Sequence, residues 1–150
     1  MTVKDGNLYL GDEFLIGAEQ SRIKTLYLPA LTEMGNSCLI RAYALTHFEA
    51  PALAKMGSSC LFHAKALTRF ETPALTSMGI YCLHNASLLT RFEAPALTEM
   101  GSYCLSNAGS LTRFEAPVLA KIGTGCLFHA DALESSLRQK VRRALRRIGF

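Results

Sequence analysis

No stretch of this 150-residue chain is apolar for anything near the ~20 residues that a bilayer-spanning helix needs. The N-terminal run Met1-Thr2-Val3-Lys4-Asp5-Gly6 contains no apolar h-region, so no secretory signal is read there. Cytoplasmic folding is the expectation that follows, with surface or exported placement left open. Glycine never clusters into a phosphate-cradling loop; it recurs singly along the chain. No cysteines stand in the C-x-x-C spacing of a zinc site. None of His47, His63, His84 and His129 sits in an H-E-x-x-H setting, and their positions along the chain do not converge. Neither catalysis nor a cofactor or metal is therefore expected. A hydrophobic share of 49% with 19% charged residues suits a folded chain and not a disordered one.

What the chain does have is a period. Cys38, Cys60, Cys82, Cys104 and Cys126 are each separated by 22 residues, and Pro29, Pro51, Pro73, Pro95 and Pro117 keep the same step. So do Gly35, Gly57, Gly79, Gly101 and Gly123. A fixed period of this size means a solenoid, in which matching residues form columns along the axis. Three parts divide the chain: a degenerate first coil or N-terminal cap over 1–22, five repeats over 23–133, and a tail over 134–150. The first part carries an echo, Leu8-Tyr9-Leu10 against Leu26-Tyr27-Leu28, at a distance of 18. An uncovered first coil would leave an open strand edge, which invites pairing with another chain, so a homo-oligomer through the N-terminal end stays open.

Each repeat begins with a segment such as Leu45-Thr46-His47-Phe48-Glu49-Ala50-Pro51, in which Phe48 and Ala50 alternate with His47 and Glu49. Period two is the mark of a strand with one buried face. Pro follows where its missing N–H no longer interrupts the ladder. Next comes L-x-x-M-G, as in Leu53-Ala54-Lys55-Met56-Gly57, where glycine permits a corner conformation closed to bulkier residues. The coil closes with Cys60-Leu61-Phe62-His63-Ala64-Lys65-Ala66-Leu67, whose spacing predicts a helical or 3-10 turn. All five cysteines share one repeat position, so they read as a buried column of reduced thiols serving as small core residues.

The tail reads differently. Leu137, Val141, Leu145 and Ile148 fall on one stripe of an amphipathic helix, predicted to cap the open core of the last coil. Arg138, Lys140, Arg142, Arg143, Arg146 and Arg147 stand against Glu134 alone, a net +5, whereas the whole chain is +4. The basicity thus belongs to the tail. It makes those six side chains candidate contacts for a polyanion, either nucleic acid or an anionic membrane.

The repeat, L-x-x-F-x-A-P-x-L-x-x-M-G-x-x-C-L-x-x-A-x-x-L, resembles the BspA-like (Treponema pallidum-type) leucine-rich repeats over Ile23 to Leu133. The family pattern L-x-x-I-x-I-P-x-x-V-x-x-I-G-x-x-A-F-x-x-C-x-x-L differs in a period of 23 and in exchanging the Cys and Ala positions. The resemblance implies an α/β-type repeat solenoid. It would be a right-handed leucine-rich-repeat coil with a parallel β-sheet on its concave face, short helical or 3-10 turns and the C-terminal capping helix. It also implies a non-catalytic module of bacterial type that binds a protein partner. On the concave face the outward strand residues would be His47, Arg69, Arg91 and Arg113 beside Glu49, Glu71, Glu93 and Glu115. Opposite charges in adjacent columns would offset like charges stacked every ~4.8 Å. A second candidate surface is the uneven patch of Phe62, Ile80, Tyr81, Tyr103 and Phe128 on the turns, which ordinary packing between turns would also explain.

Overall fold

When one unit recurs without insertion, a strand in one coil finds its hydrogen-bond partner one period away. The computed structural model describes residues 2–4, 7–14, 22–133, 143, 146 and 147. Its strands are β1 (Thr2–Lys4), β2 (Asn7–Leu10), β3 (Thr25–Tyr27), β4 (Leu31–Met34), β5 (His47–Glu49), β6 (Lys55–Met56), β7 (Arg69–Glu71), β8 (Ser77–Met78), β9 (Arg91–Glu93), β10 (Glu99–Met100), β11 (Arg113–Glu115) and β12 (Lys121–Ile122). From β3 onward they form a parallel-strand solenoid of about five turns, here called the first to fifth coils. The strand phase is as expected: Phe48 lies opposite Phe70, and Phe92 opposite Phe114.

Strands occur on two sides of the coil, where the sequence reading has a sheet on one. The L-x-x-M segments also pair, in one sheet ordered β1-β2-β4-β6-β8-β10-β12. Most of these strands are two residues long, too short for alternation to show. The L-x-x-F strands form two separate groups, β3-β5-β7 and β9-β11.

The N-terminal echo resolves into another register. β1 and β2 form an antiparallel pair, and β2 lies parallel to β4 with Leu10 opposite Met34. Gly35 donates its N–H to Leu10 O at 2.7 Å, and Leu39 donates to Phe14 O at 3.0 Å. Leu10-Gly11 therefore plays the part of Met34-Gly35, and the likeness of Leu8-Tyr9-Leu10 to the first L-x-x-F strand is coincidental.

The third side departs from the predicted helical turn. Ser59, Leu61 and His63 have φ of 58°, 55° and 60°, and Tyr81, Leu83 and Asn85 repeat the pattern. A left-handed non-glycine residue costs roughly 1–2 kcal/mol. The zigzag persists because it sends successive amides to opposite neighbours. Ser59 donates to Ile80 O at 2.7 Å, Leu61 to Cys38 O at 2.9 Å and His63 to His84 O at 2.8 Å. Among the described residues no helical element replaces it. The predicted capping helix over 134–150 lies outside the described residues, apart from Arg143, Arg146 and Arg147, which are helical and exposed.

The columns fill the interior. Phe48, Phe70, Phe92 and Phe114 stack with centroids 5.5–5.9 Å apart. Cys38, Cys60, Cys82 and Cys104 are buried, and Cys126 is half-buried at the end of their column. Each thiol of Cys60, Cys82, Cys104 and Cys126 donates to the carbonyl of a glycine one coil back, at 2.9–3.0 Å. Hydrogen bonding with Cys126, then burial, pushes the Cys104 thiol up to about 12, while the bond from Cys104 holds Cys126 below its ordinary value. A thiolate is the reactive form. A thiol reagent added to the folded protein is expected to label Cys126 well ahead of the other four, as peptide mapping would show.

Candidate functional site

The strand side of the coil carries the first candidate surface. With Phe48, Phe70, Phe92 and Phe114 turned inward, the flanking residues face outward: His47 is half-buried, and Arg69, Arg91, Arg113, Glu49, Glu71, Glu93 and Glu115 are exposed. A groove of about 690 Å³ crosses the second to fourth coils here. Glu49, Arg69, Glu71, Arg91 and Glu93 line it, with Pro51, Pro73 and Pro95 along one side and Thr68 and Thr90 along the other. His47, Arg113 and Glu115 stand outside it. His47 Nδ1 instead meets Thr46 Oγ1 at 2.8 Å.

The charges pair mainly within a coil. Arg69 bonds Glu71 at 2.5 Å and Arg91 bonds Glu93 at 3.3 Å. Arg113 bonds both Glu115 at 2.8 Å and Glu93 of the previous coil at 3.2 Å. The lattice is thus tied across the fourth and fifth coils, and no such tie spans the third and fourth. All these side chains are solvent-exposed, so each pair contributes well under ~1 kcal/mol to stability. They remain available to exchange an internal partner for an external one.

Beneath the groove lies a residue the sequence reading passed over. Thr72 is 1% exposed and its Oγ1 has no hydrogen-bond partner. Its neighbours in the column are Ala50 and Ala94, both fully buried, with the partly buried Leu28 and Ala116 at the two ends. The only sign of it in the sequence is one threonine in a row of alanines.

The second candidate surface is brought together in part. Phe62 meets Tyr81 edge-on at 6.1 Å, and Tyr81 stacks on Tyr103 at 5.0 Å. His84 joins them, stacked on Phe62 at 5.1 Å, with His63 edge-on to Phe62 at 4.2 Å. Phe128 packs instead on His129 at 4.0 Å, and Ile80 is exposed. Sequence reading missed the histidines because the zigzag, and not a helix, decides which turn residues touch.

Burial lowers the pKa of both His63 and His84 from 6.5, and the proximity of His84 adds to the effect on His63. Just below pH 6.5 the unfolded chain therefore binds more protons at these sites than the folded one does. Stability is full above that pH and falls as the pH drops through the window toward the folded values. The urea midpoint is expected to fall between neutral and mildly acidic pH, and to fall less in the H63N/H84N double variant.

Of the polyanion candidates, Arg143, Arg146 and Arg147 are exposed, and Arg138, Lys140 and Arg142 lie outside the described residues. Among the described residues, no three His, Cys, Asp or Glu side chains come together as a metal site.

No family model matches the chain, and neither does any curated protein. Solved structures do match. A leucine rich cell surface protein from Faecalibacterium prausnitzii superposes with a TM-score of 0.68 at 16% identity over 84% of this chain. The T. pallidum Leucine Rich Repeat protein does so with a TM-score of 0.56 at 13% identity over 85% of this chain and 71% of its own length. This is a leucine-rich-repeat fold. Both neighbours are bacterial leucine-rich-repeat proteins, in keeping with the resemblance read from the repeat, and at such identities the likeness is one of fold. The chain spans 41% of the length of the Faecalibacterium protein.

Proposed function

We propose that this leucine-rich-repeat chain is a non-catalytic protein-interaction module, and that its partner docks on the strand side over the second to fourth coils. One observation carries the reading: the described groove of about 690 Å³ lies across the exposed Arg and Glu columns. A repeat scaffold is suited to this work, because its backbone is fixed by neighbouring coils while outward residues vary without cost to the core. The partner fitting this face is a protein segment bearing both signs of charge, which would exchange pairs with Arg69, Glu71, Arg91 and Glu93. The test is affinity capture with the intact chain, set beside an R69E/E71R/R91E/E93R variant that reverses the charges of the third and fourth coils, keeps the pairing within each coil and gives up only the tie of Arg113 to residue 93. A partner held by the wild type and lost by that variant supports the reading. Equal capture by the two overturns it.

A second reading rests on the exposed arginines of the tail. Arg143, Arg146 and Arg147 would contact a polyanion, and the affinity for heparin or anionic vesicles would fall steeply with added salt. Binding unchanged in an R142Q/R143Q/R146Q/R147Q variant would remove this reading.

A further inference from the structure

The third and fourth coils are joined on the L-x-x-M side and on the turn side, where Tyr81 donates to Ser102 O at 2.8 Å and Leu105 to Cys82 O at 3.1 Å, but not on the L-x-x-F side. On the L-x-x-M side β8 and β10 pair, Thr98 donates to Thr76 O at 2.9 Å and Gly101 to Met78 O at 2.9 Å. On the L-x-x-F side β7 and β9 do not pair at all. The bonds that should join them are known from the neighbouring junctions. Arg69 donates its N–H to Thr46 O at 3.1 Å and Arg113 to Thr90 O at 3.2 Å; Arg91 does not donate to Thr68 O. Ala50 donates to Glu71 O at 3.0 Å and Ala94 to Glu115 O at 2.8 Å; Thr72 does not donate to Glu93 O. A side-chain ladder fails at the same step: Thr46, Thr68 and Thr112 each donate Oγ1–H to the carbonyl one coil back, and Thr90 does not.

Sequence isolates the reason. Leu89-Thr90-Arg91-Phe92-Glu93-Ala94-Pro95 and Leu111-Thr112-Arg113-Phe114-Glu115-Ala116-Pro117 are identical and pair. Leu67-Thr68-Arg69-Phe70-Glu71-Thr72-Pro73 differs from them at one position, Thr72, and does not pair with the next coil. A β-branched side chain at an inward site flanked on both sides by fully buried alanines overfills a column cut for methyl groups. The bulkier Leu28 stands in the same column without breaking the ladder to Ala50, because it belongs to the first coil, where it is only partly buried.

We propose that Thr72 is the positioning residue that creates the groove: it wedges β7 from β9 and turns that junction into a slot with unpaired main-chain N–H and C=O groups. Those groups are the ones with which a sheet edge recognises another chain, so the ligand class the slot suits is a peptide amide. This deepens the reading of the strand side as the docking surface.

Amide hydrogen exchange on the intact chain tests it. In the wild type, the amides of Arg91 and Thr72 are expected to exchange ~100-fold faster than those of Arg69, Arg113, Ala50 and Ala94. T72A should bring both to within ~10-fold of these neighbours, whereas T72V, which keeps the branch and loses the hydroxyl, should leave them fast. N-methylacetamide, the smallest peptide unit, should shift the Arg91 and Thr72 resonances in the wild type and not in T72A. Protected amides in the wild type, an open slot in T72A, or an equal response of both proteins to N-methylacetamide would each overturn the proposal. Exchange reads the slot itself, so a partner that docks elsewhere would defeat the functional reading and leave this one standing.

Discussion

Truncating Phe92 to alanine is expected to lower the stability of the chain by ~3–5 kcal/mol, read from urea unfolding followed by circular dichroism. Phe92 is fully buried and sits at the middle of the ring column, 5.9 Å from Phe70 and 5.5 Å from Phe114. Its removal takes away apolar burial and two stacking contacts together, and leaves a cavity that cannot close. The coils above and below are held at a fixed spacing by the L-x-x-M sheet and by the turn amides, so the column cannot sink into the gap. Arg91→Ala, one residue away and exposed, provides the contrast. Its ion pair with Glu93 is solvated, and its loss is expected to cost less than ~1 kcal/mol. Similar losses at the two positions would mean that the energetic weight lies outside the column.

Gly101→Ala is expected to be as damaging for a different reason. Its φ is not left-handed, so the corner does not need glycine for its dihedrals. The need is for space: a Cβ there would lie 2.5 Å from the carbonyl carbon of Gly79 in the coil behind. The obstacle is backbone, which cannot swing aside as a side chain does. The substitution must separate two coils or distort both, at a cost of about 3 kcal/mol or more. Gly109→Ala is the control. Nothing lies within 4 Å of a Cβ at that site, so the smaller unfolded-state entropy should leave it neutral or about 0.4–1 kcal/mol more stable. If the two glycines responded alike, the close approach of the coils would not be what fixes the Gly57–Gly79–Gly101 column.

Much of the fold was legible because a repeat without insertions turns sequence positions into spatial columns. The Phe, Ala and Cys columns could be read directly, and so could the outward Arg and Glu rows of the candidate surface. Less legible were features that depend on how one coil lies on the next. The glycine column was visible, but its cause was read as dihedral freedom when it is contact between backbones. The spacing of Cys60, Leu61, Ala64 and Leu67 fits a helical turn as well as it fits the left-handed zigzag. One-dimensional spacing carries no sign of φ, and only amides bonding to coils on both sides make the zigzag affordable. The cluster of His63, His84, Phe62 and Tyr81 followed from that geometry and was hidden with it.

By itself the sequence determined the period, the residues facing the core and the basic character of the tail, because each of these follows from identity and spacing alone. The tertiary structure decided where neighbouring coils bond and where they do not. Two heptapeptides that are letter-for-letter the same pair with each other, while a third, differing from them only at Thr72, pairs with the coil before it and stays apart from the coil after it. Hydrogen bonds between coils require two backbones to come within about 3 Å of each other. Whether they do depends on the volume packed between them, which no single coil's sequence specifies.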